Sequence, residues 1–183
     1  LQDPLSELVK IEPEHIGVGQ YQHDVNQKAL SEALTNVVED AVNLVGVDIN
    51  RASPALLKYV AGITGTMADN IVAYREANGR FVSRRAVLKV KGLGPRAYEQ
   101  CAGFLRITGG EDVLDNTGIH PESYPAAHAL MDRLSLTPAD LKPMRIRETA
   151  KTLRRVDVKA TARELGIGEP TLQDMIAELC KPG

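Results

Sequence analysis

From residue 24 onward, apolar positions recur every three to four residues, the spacing of helices that lay one face on a core. The longest such run, from Asp24 to about Leu44, aligns Val25, Leu30, Ala33, Leu34, Val37, Val38, Ala41 and Val45 on one face. Asp24 is its predicted cap and Gly46 its stop. Upstream, the pattern predicts a helix over Asp3 to Lys10, a turn at Pro13 and a short Ile16-Gly17-Val18-Gly19 segment. Four short helices come next, at 54–61, 66–77, 83–89 and 95–105. Ser53 caps the first, with Pro54 at its first position. Asn78-Gly79 ends the second, and Ser83 caps the third. Leu56, Val60, Ile63, Ile71, Phe81, Val87, Leu88, Leu93, Cys101 and Leu105 form the expected core. The polar, glycine-rich stretch 108–120 reads as a linker. Helices at about 121–134, 138–155, 158–165 and 170–180 then share a second core of Leu134, Leu136, Leu141, Ile146, Leu153, Leu165, Leu172, Ile176 and Leu179. The expected class is all-α.

One feature of this pattern is duplicated. Val60-Ala61-Gly62-Ile63-Thr64 and Val90-Lys91-Gly92-Leu93-Gly94 occupy the same register between consecutive helices. A Gly-x-Gly turn of this kind turns main-chain N–H groups outward, beside the positive end of the next helix, and so suits a phosphate oxygen. The candidate site is therefore Gly92, Leu93 and Gly94 with the flanking Lys89, Lys91 and Arg96. Arg84 and Arg85 are added as nearby cations, although adjacent arginines are also what an ordinary solvated face carries. Gly62, Ile63 and Gly65 make the weaker first corner. Thr64 stands there at the second glycine position, and a β-branched residue disfavours positive φ. That predicts a mainly structural first hairpin.

Composition adds little: 43% apolar, 4% aromatic and a net charge of −2. The distribution of charge adds more. Residues 75–106 hold eight basic residues against two acidic ones, whereas residues 1–54 hold three against nine. The basic block coincides with the second hairpin. No apolar run reaches the roughly 18 residues of a membrane span, and two distant cysteines, Cys101 and Cys180, form no disulfide framework. A reducing cytoplasm is the expected compartment.

Other chemistry is thin. His15, His23, His120, His128 and the cysteines show no metal-ligand spacing, and no metal or cofactor is expected. Asp24 alone cannot hold a catalytic metal pair, so capping is its expected role and no enzyme activity is expected. Residues 160–172 look like a helix-turn-helix reader. The following helix, Glu169 to Leu179, has no Arg or Lys and only Gln173 for base edges, so packing is the expected role.

The block Ile49-Asn50-Arg51-Ala52-Ser53, Tyr74-Arg75-Glu76-Ala77-Asn78-Gly79-Arg80-Phe81 and Lys91-Gly92-Leu93-Gly94 resembles the tandem helix-hairpin-helix domain. Gly17 to Gln27, Val45 to Asn50 and Ile119 to Pro125 extend the likeness, and the whole chain resembles the transcription accessory protein Tex family. The resemblance implies three parts. Residues 1–47 would be the tail of a ribonuclease-H-like domain and its long connecting helix, 48–108 a tandem helix-hairpin-helix domain, and 109–183 a small helical subdomain ahead of an S1 domain that the chain lacks. Beginning at Leu1 rather than Met, the chain is expected to be a piece of something longer. Its implied function is binding of DNA or RNA backbone without sequence preference, with the transcription machinery as a further partner and no membrane. A rigid helical scaffold or protein-docking module, with little nucleic-acid affinity of its own, is the competing expectation.

Overall fold

A computed structural model of the chain describes residues 4–12, 15 and 26–181. Asp24 as a cap, Val25 as a core position, His23 and the segment 16–19 lie outside the described residues. The chain divides into two compact units, with the boundary between Ile107 and Thr108. No helix among the described residues is long and apolar enough to cross a membrane.

The first unit opens with α1 (Pro4–Leu8) and α2 (Gln27–Val45). Asn26 caps α2, its Oδ1 accepting from the Lys28 and Ala29 amides at 3.0 and 3.3 Å. The buried stripe is Val38 and Val42, with Leu30, Leu34 and Ala41 half-buried. Val37 and Val45, expected on that face, are instead 64% and 61% exposed, as is Leu44. The stripe is narrower than the hydrophobic pattern because only the i, i+4 line through Val38 and Val42 meets the core. At Gly46 (φ +81, ψ 164) the helix stops in backbone that strains any side chain, and a Cβ there would push aside the Arg106 guanidinium, 2.5 Å away.

Two short strands bracket the hairpin region. β1 (Val47–Asp48) and β2 (Leu105–Arg106) pair in parallel, Val47 opposite Leu105. Between them lie α3 (Pro54–Leu57), α4 (Gly65–Asn78), a 3-10 helix at Arg84–Lys89, and α5 (Pro95–Cys101), which a 3-10 turn at Ala102–Phe104 extends. Ser53, Thr64 and Ser83 each accept a main-chain N–H at their helix starts. Asn50 clips the far end of α4 to the start of the unit, donating to the Phe81 carbonyl at 2.9 Å and accepting from its amide at 2.7 Å. Of the predicted core, Leu88 is the exception, 37% exposed. Residues 84–89 wind three per turn rather than 3.6, so the inward positions become Arg84, Val87 and Val90.

The second unit is folded from its first residues. Residues 108–120 are no linker: a 3-10 helix covers Val113–Asn116, and Leu114, Asp115 and Ile119 are buried. The Tyr124 hydroxyl donates to the Asp115 carboxylate at 2.5 Å, and the Gly118 amide donates to Glu178 at 2.9 Å. Through a 3-10 turn at Pro121–Ser123, capped by His120, the chain enters α6 (Tyr124–Arg133). The single helix expected at 138–155 is two pieces, a 3-10 helix at Pro138–Leu141 and α7 (Ile146–Arg154). Pro143 explains the break, since it drives Lys142 into extended backbone (φ −72, ψ 152). α8 (Val158–Leu165) and α9 (Glu169–Leu179) complete the unit, and Leu114, Leu130, Leu153, Leu172 and Leu179 are fully or almost fully buried within it.

At the break, the Asp140 carboxylate accepts from the Thr137 amide and hydroxyl at 2.8 Å each and from Arg145 at 3.2 Å. These bonds, the Thr137 amide foremost, hold its carboxyl below the usual range. A depressed folded-state value stabilises above the unfolded value of about 4, and that contribution is lost as pH falls through the folded value. Asp140→Ala is expected to lower the Tm of the second unit at neutral pH. Calorimetry should show the gap from wild type closing as the pH is taken well below 4.

Candidate functional site

The two hairpins share one backbone geometry. Gly62 and Gly92 take φ +81 and +84, the left-handed region that favours glycine. One residue later the Ile63 and Leu93 amides donate to Val60 and Val90, each at 3.1 Å. Their side chains are buried. Ile63 and Leu93, both candidate donors, are therefore hydrophobic pins whose N–H groups are already used. Thr64 and Gly94 then adopt the same extended conformation, φ −81 in both, with ψ 165 and −179. The expectation that Thr64 compromises the first hairpin's backbone is corrected by this: no positive φ is required at that position, and Thr64 Oγ1 accepts from the Met67 amide at 3.2 Å.

What separates the hairpins is their surroundings. The first is enclosed. Asn43 on α2 donates to the Tyr59 carbonyl at 3.2 Å and accepts from the Ala61 amide at 3.1 Å. A Cβ on Gly62 would lie 2.7 Å from the Gln100 Cβ on α5, so this glycine is a packing contact. Gly65 is exposed at the start of α4, where the Thr64 cap already satisfies one of the initial amides.

The second hairpin is open. Gly92 has only Asn70 Nδ2 near its Cβ position, at 3.8 Å, and Gly94 has nothing within 4 Å. Asn70 anchors the turn from its carbonyl side, donating to the Lys91 oxygen at 2.8 Å. Gly94 supplies no side-chain cap to α5, and the first bond of that helix runs from Tyr98 to Gly94 at 3.0 Å. The Arg96 and Ala97 amides precede that bond and are among the donors a helix start leaves unpaired. Lys89, Lys91 and Arg96 flank this corner and are all exposed, as is Arg85.

Arg84 is removed from the site. It is 1% exposed, with Nε and Nη2 donating to the Leu105 carbonyl at 3.0 and 2.7 Å. Arg75 donates to the Ile49 carbonyl at 2.8 Å, and Arg106 to that of Gly103 at 2.7 Å. Three of the eight cations in 75–106 thus hold main-chain carbonyls, Arg84 from within the core and Arg75 and Arg106 from half-buried positions where their charge still adds to the local field.

A third corner of this kind stands where the sequence pattern suggests a helix-turn-helix. Gly166 (φ +67), Ile167 and Gly168 join α8 to α9, with Gly168 an N-cap lacking a side-chain bond. Its spacing, the same as in Gly92-Leu93-Gly94, is the signal that marks it. Here the neighbours are Glu164 and Glu169, and α9 turns Leu172, Met175, Ile176 and Leu179 into the core. Glu164 is ion-paired with Arg133, and Arg163 beside it is balanced by Glu169, so this corner has no excess of cations to draw a phosphate. Among the described residues, no group of three or more His, Cys, Asp or Glu is placed to hold a metal ion.

These features agree with what the chain is similar to. Residues 42–106 match the family model described as helix-hairpin-helix motif, and residues 112–183 match the one described as HHH domain. The transcriptional accessory protein Tex of Neisseria gonorrhoeae is 51% identical over 183 residues, covering all of this chain and 23% of that protein. Protein YhgF of Escherichia coli (strain K12) is 52% identical over the same span and share. The human S1 RNA-binding domain-containing protein 1 is 38% identical over 231 residues, again covering all of this chain and 23% of its own length. The chain spans about a quarter of the length of the curated relatives it matches.

Substitutions should separate packing from surface. Gly62→Ala and Gly92→Ala both force alanine into left-handed backbone, at about 1 kcal/mol. Urea denaturation is expected to show Gly62→Ala as clearly the more destabilising, because it alone also collides with Gln100. Arg84→Met, which takes two of the three guanidinium bonds from the Leu105 carbonyl and leaves the one from Arg106 at 3.2 Å, is expected to cost about 1 kcal/mol. Equal stability of Arg84→Met and wild type would refute the strut.

Proposed function

Because this chain belongs to the Tex family, matching a quarter of its members' length, we propose that it binds nucleic acid by the phosphate backbone, without sequence preference. The observation that carries this reading is the open Gly92–Gly94 corner with Lys89, Lys91 and Arg96 around it. A phosphate oxygen accepts from the main-chain amides at the start of α5, and the three cations offset its charge. Gly94 matters by having no side chain, which lets a sugar–phosphate strand approach the backbone closely. Nothing in this arrangement reaches a base edge, and contacts to phosphate alone carry no sequence information. DNA and RNA are both ligands for such a grip, and the name of the human relative, an S1 RNA-binding domain-containing protein, makes RNA a natural probe. The chain acts here as a binder rather than a catalyst, within a longer protein that assists transcription.

Fluorescence anisotropy with a short duplex and a short single strand tests this. Affinity is expected to fall steeply from about 50 to about 200 mM salt. Lys91→Ala with Arg96→Ala should weaken binding to all sequences alike, by roughly tenfold, and reduce the slope of log K against log salt by about 2. Binding that ignores salt, or that survives both changes undiminished, sinks the reading. The scaffold alternative would then gain, with the uncovered Val37, Leu44 and Val45 of α2 as its docking stripe.

A further inference from the structure

Most cations of the second unit are gathered in one block of its sequence. Residues 142–163 hold eight basic residues against two acidic ones, a block as lopsided as 75–106. Both acids are engaged: Glu148 pairs with Lys151 at 2.8 Å, and Asp157 caps α8, accepting from the Ala160 amide at 3.0 Å. α7 is the centre of this block. Its inner face is Ile146, Thr149, Ala150 and Leu153, all buried. At 3.6 residues per turn, Arg147, Lys151, Arg154 and the adjoining Arg155 fall within an arc of about 100° on the outer face. All four are exposed.

That stripe opposes the helix that carries it. Arg147 and Lys151 are four apart, as are Lys151 and Arg155, and Lys151 and Arg154 are three apart, so four cations crowd one face with Glu148 on Lys151 as the one pairing acid. The helix dipole favours cations only in the last turn, which leaves Arg147, in the first turn, at the unfavourable end. Lys151 and Arg154, in the last turn, suit the dipole, but the crowding that Glu148 does not offset serves no packing purpose, and an external polyanion relieves it. We propose that the α7 stripe of Arg147, Lys151, Arg154 and Arg155 is a second contact surface for nucleic-acid backbone. It rests on the reading of the whole chain as a backbone binder. It differs in using side-chain charge alone, with no main-chain donors. Gathered within that arc over two turns, the guanidinium and ammonium groups face a single strand and bind its phosphates without reading bases. An acidic protein segment is the rival occupant. The phosphate strand fits better because every nucleotide carries a charge, one per about 3.4 Å of each strand's axial length, whereas neutral residues interrupt an ordinary acidic segment.

Amide chemical shifts of the full chain, followed by NMR while a short single-stranded oligonucleotide is added, read the two surfaces separately. The expected result is salt-sensitive shifts over residues 146–155 as well as over 89–97. Arg147→Gln with Lys151→Gln and Arg154→Gln should abolish the first set, leave the second and lower the salt slope by about 2 to 3. Arg147→Lys with Arg154→Lys should keep both. Shifts confined to 89–97 overturn this inference while the hairpin reading stands. Shifts confined to 146–155 overturn the hairpin reading instead, and no shifts at all overturn both. Poly-glutamate shifting 146–155 at equal or lower concentration than the oligonucleotide assigns the stripe to an acidic protein and also overturns it.

Discussion

The first unit depends on a chain reversal completed within three residues. For the chain to leave α3 and enter α4, or to leave the 3-10 helix at Arg84–Lys89 and enter α5, one residue must turn through left-handed backbone. The next side chain can then drop into the core while its amide closes on the residue three before it. Gly62 and Gly92 make that turn, and Ile63 and Leu93 make the drop. Once the pin is seated, the start of the following helix is directed away from the core. Its early amides cannot be satisfied by its own turns. Outward donors are therefore a by-product of folding at these corners, present before any ligand is considered.

Backbone geometry alone does not decide which corner can act. Among the described residues the Gly-apolar turn between helices occurs at Gly62, Gly92 and Gly166, and its neighbourhood differs each time. At Gly62 the missing side chain lets Gln100 approach, and Asn43 takes the Ala61 amide. At Gly166 the flanking residues are Glu164 and Glu169. Of the three, Gly92 alone combines an uncapped helix start, open space and exposed cations. The asparagines show how one fold produces both outcomes. Asn43 grips the first turn on its amide and carbonyl, whereas Asn70 grips the second through its carbonyl alone.

Much of this was legible in local pattern. The cap at Ser53, the α8 span of 158–165, the glycine corners and the all-α class each follow from residues a few positions apart. What was hidden depended on distance or on an altered period. Asn43, Asn50 and Asn70 reach partners 16 to 31 residues away, which no local spacing reveals. Leu88 and Arg84 exchanged expected places because a 3-10 turn advances the inward face every three residues. Leu114 and Ile119 were too few, among glycines and acids, to mark 108–120 as folded. The two-residue strands lie below any periodic signal. Thr64 was misjudged because the left-handed requirement was assigned to the second glycine position rather than the first.

Arg84 shows why a count of cations overstates a surface field. The Leu105 carbonyl closes the unit from β2, a strand with a single two-residue partner, and a buried carbonyl left bare costs about 1 to 3 kcal/mol. A fork of donors on a long stem reaches it from the 3-10 helix, and a guanidinium can make two bonds to one oxygen where an amide makes one. Arg75 makes a single bond to the Ile49 carbonyl, and Arg106 Nη1 reaches the carbonyls of both Gly103 and Leu105. Internal closure and external attraction draw on the same residue type within one segment. Only the register of each turn against the core separates them. Lys89, Lys91 and Arg96 stand outside because Val87, Val90 and Leu93 stand inside. The apolar residues of the hairpin therefore determine which charges a passing polyanion meets.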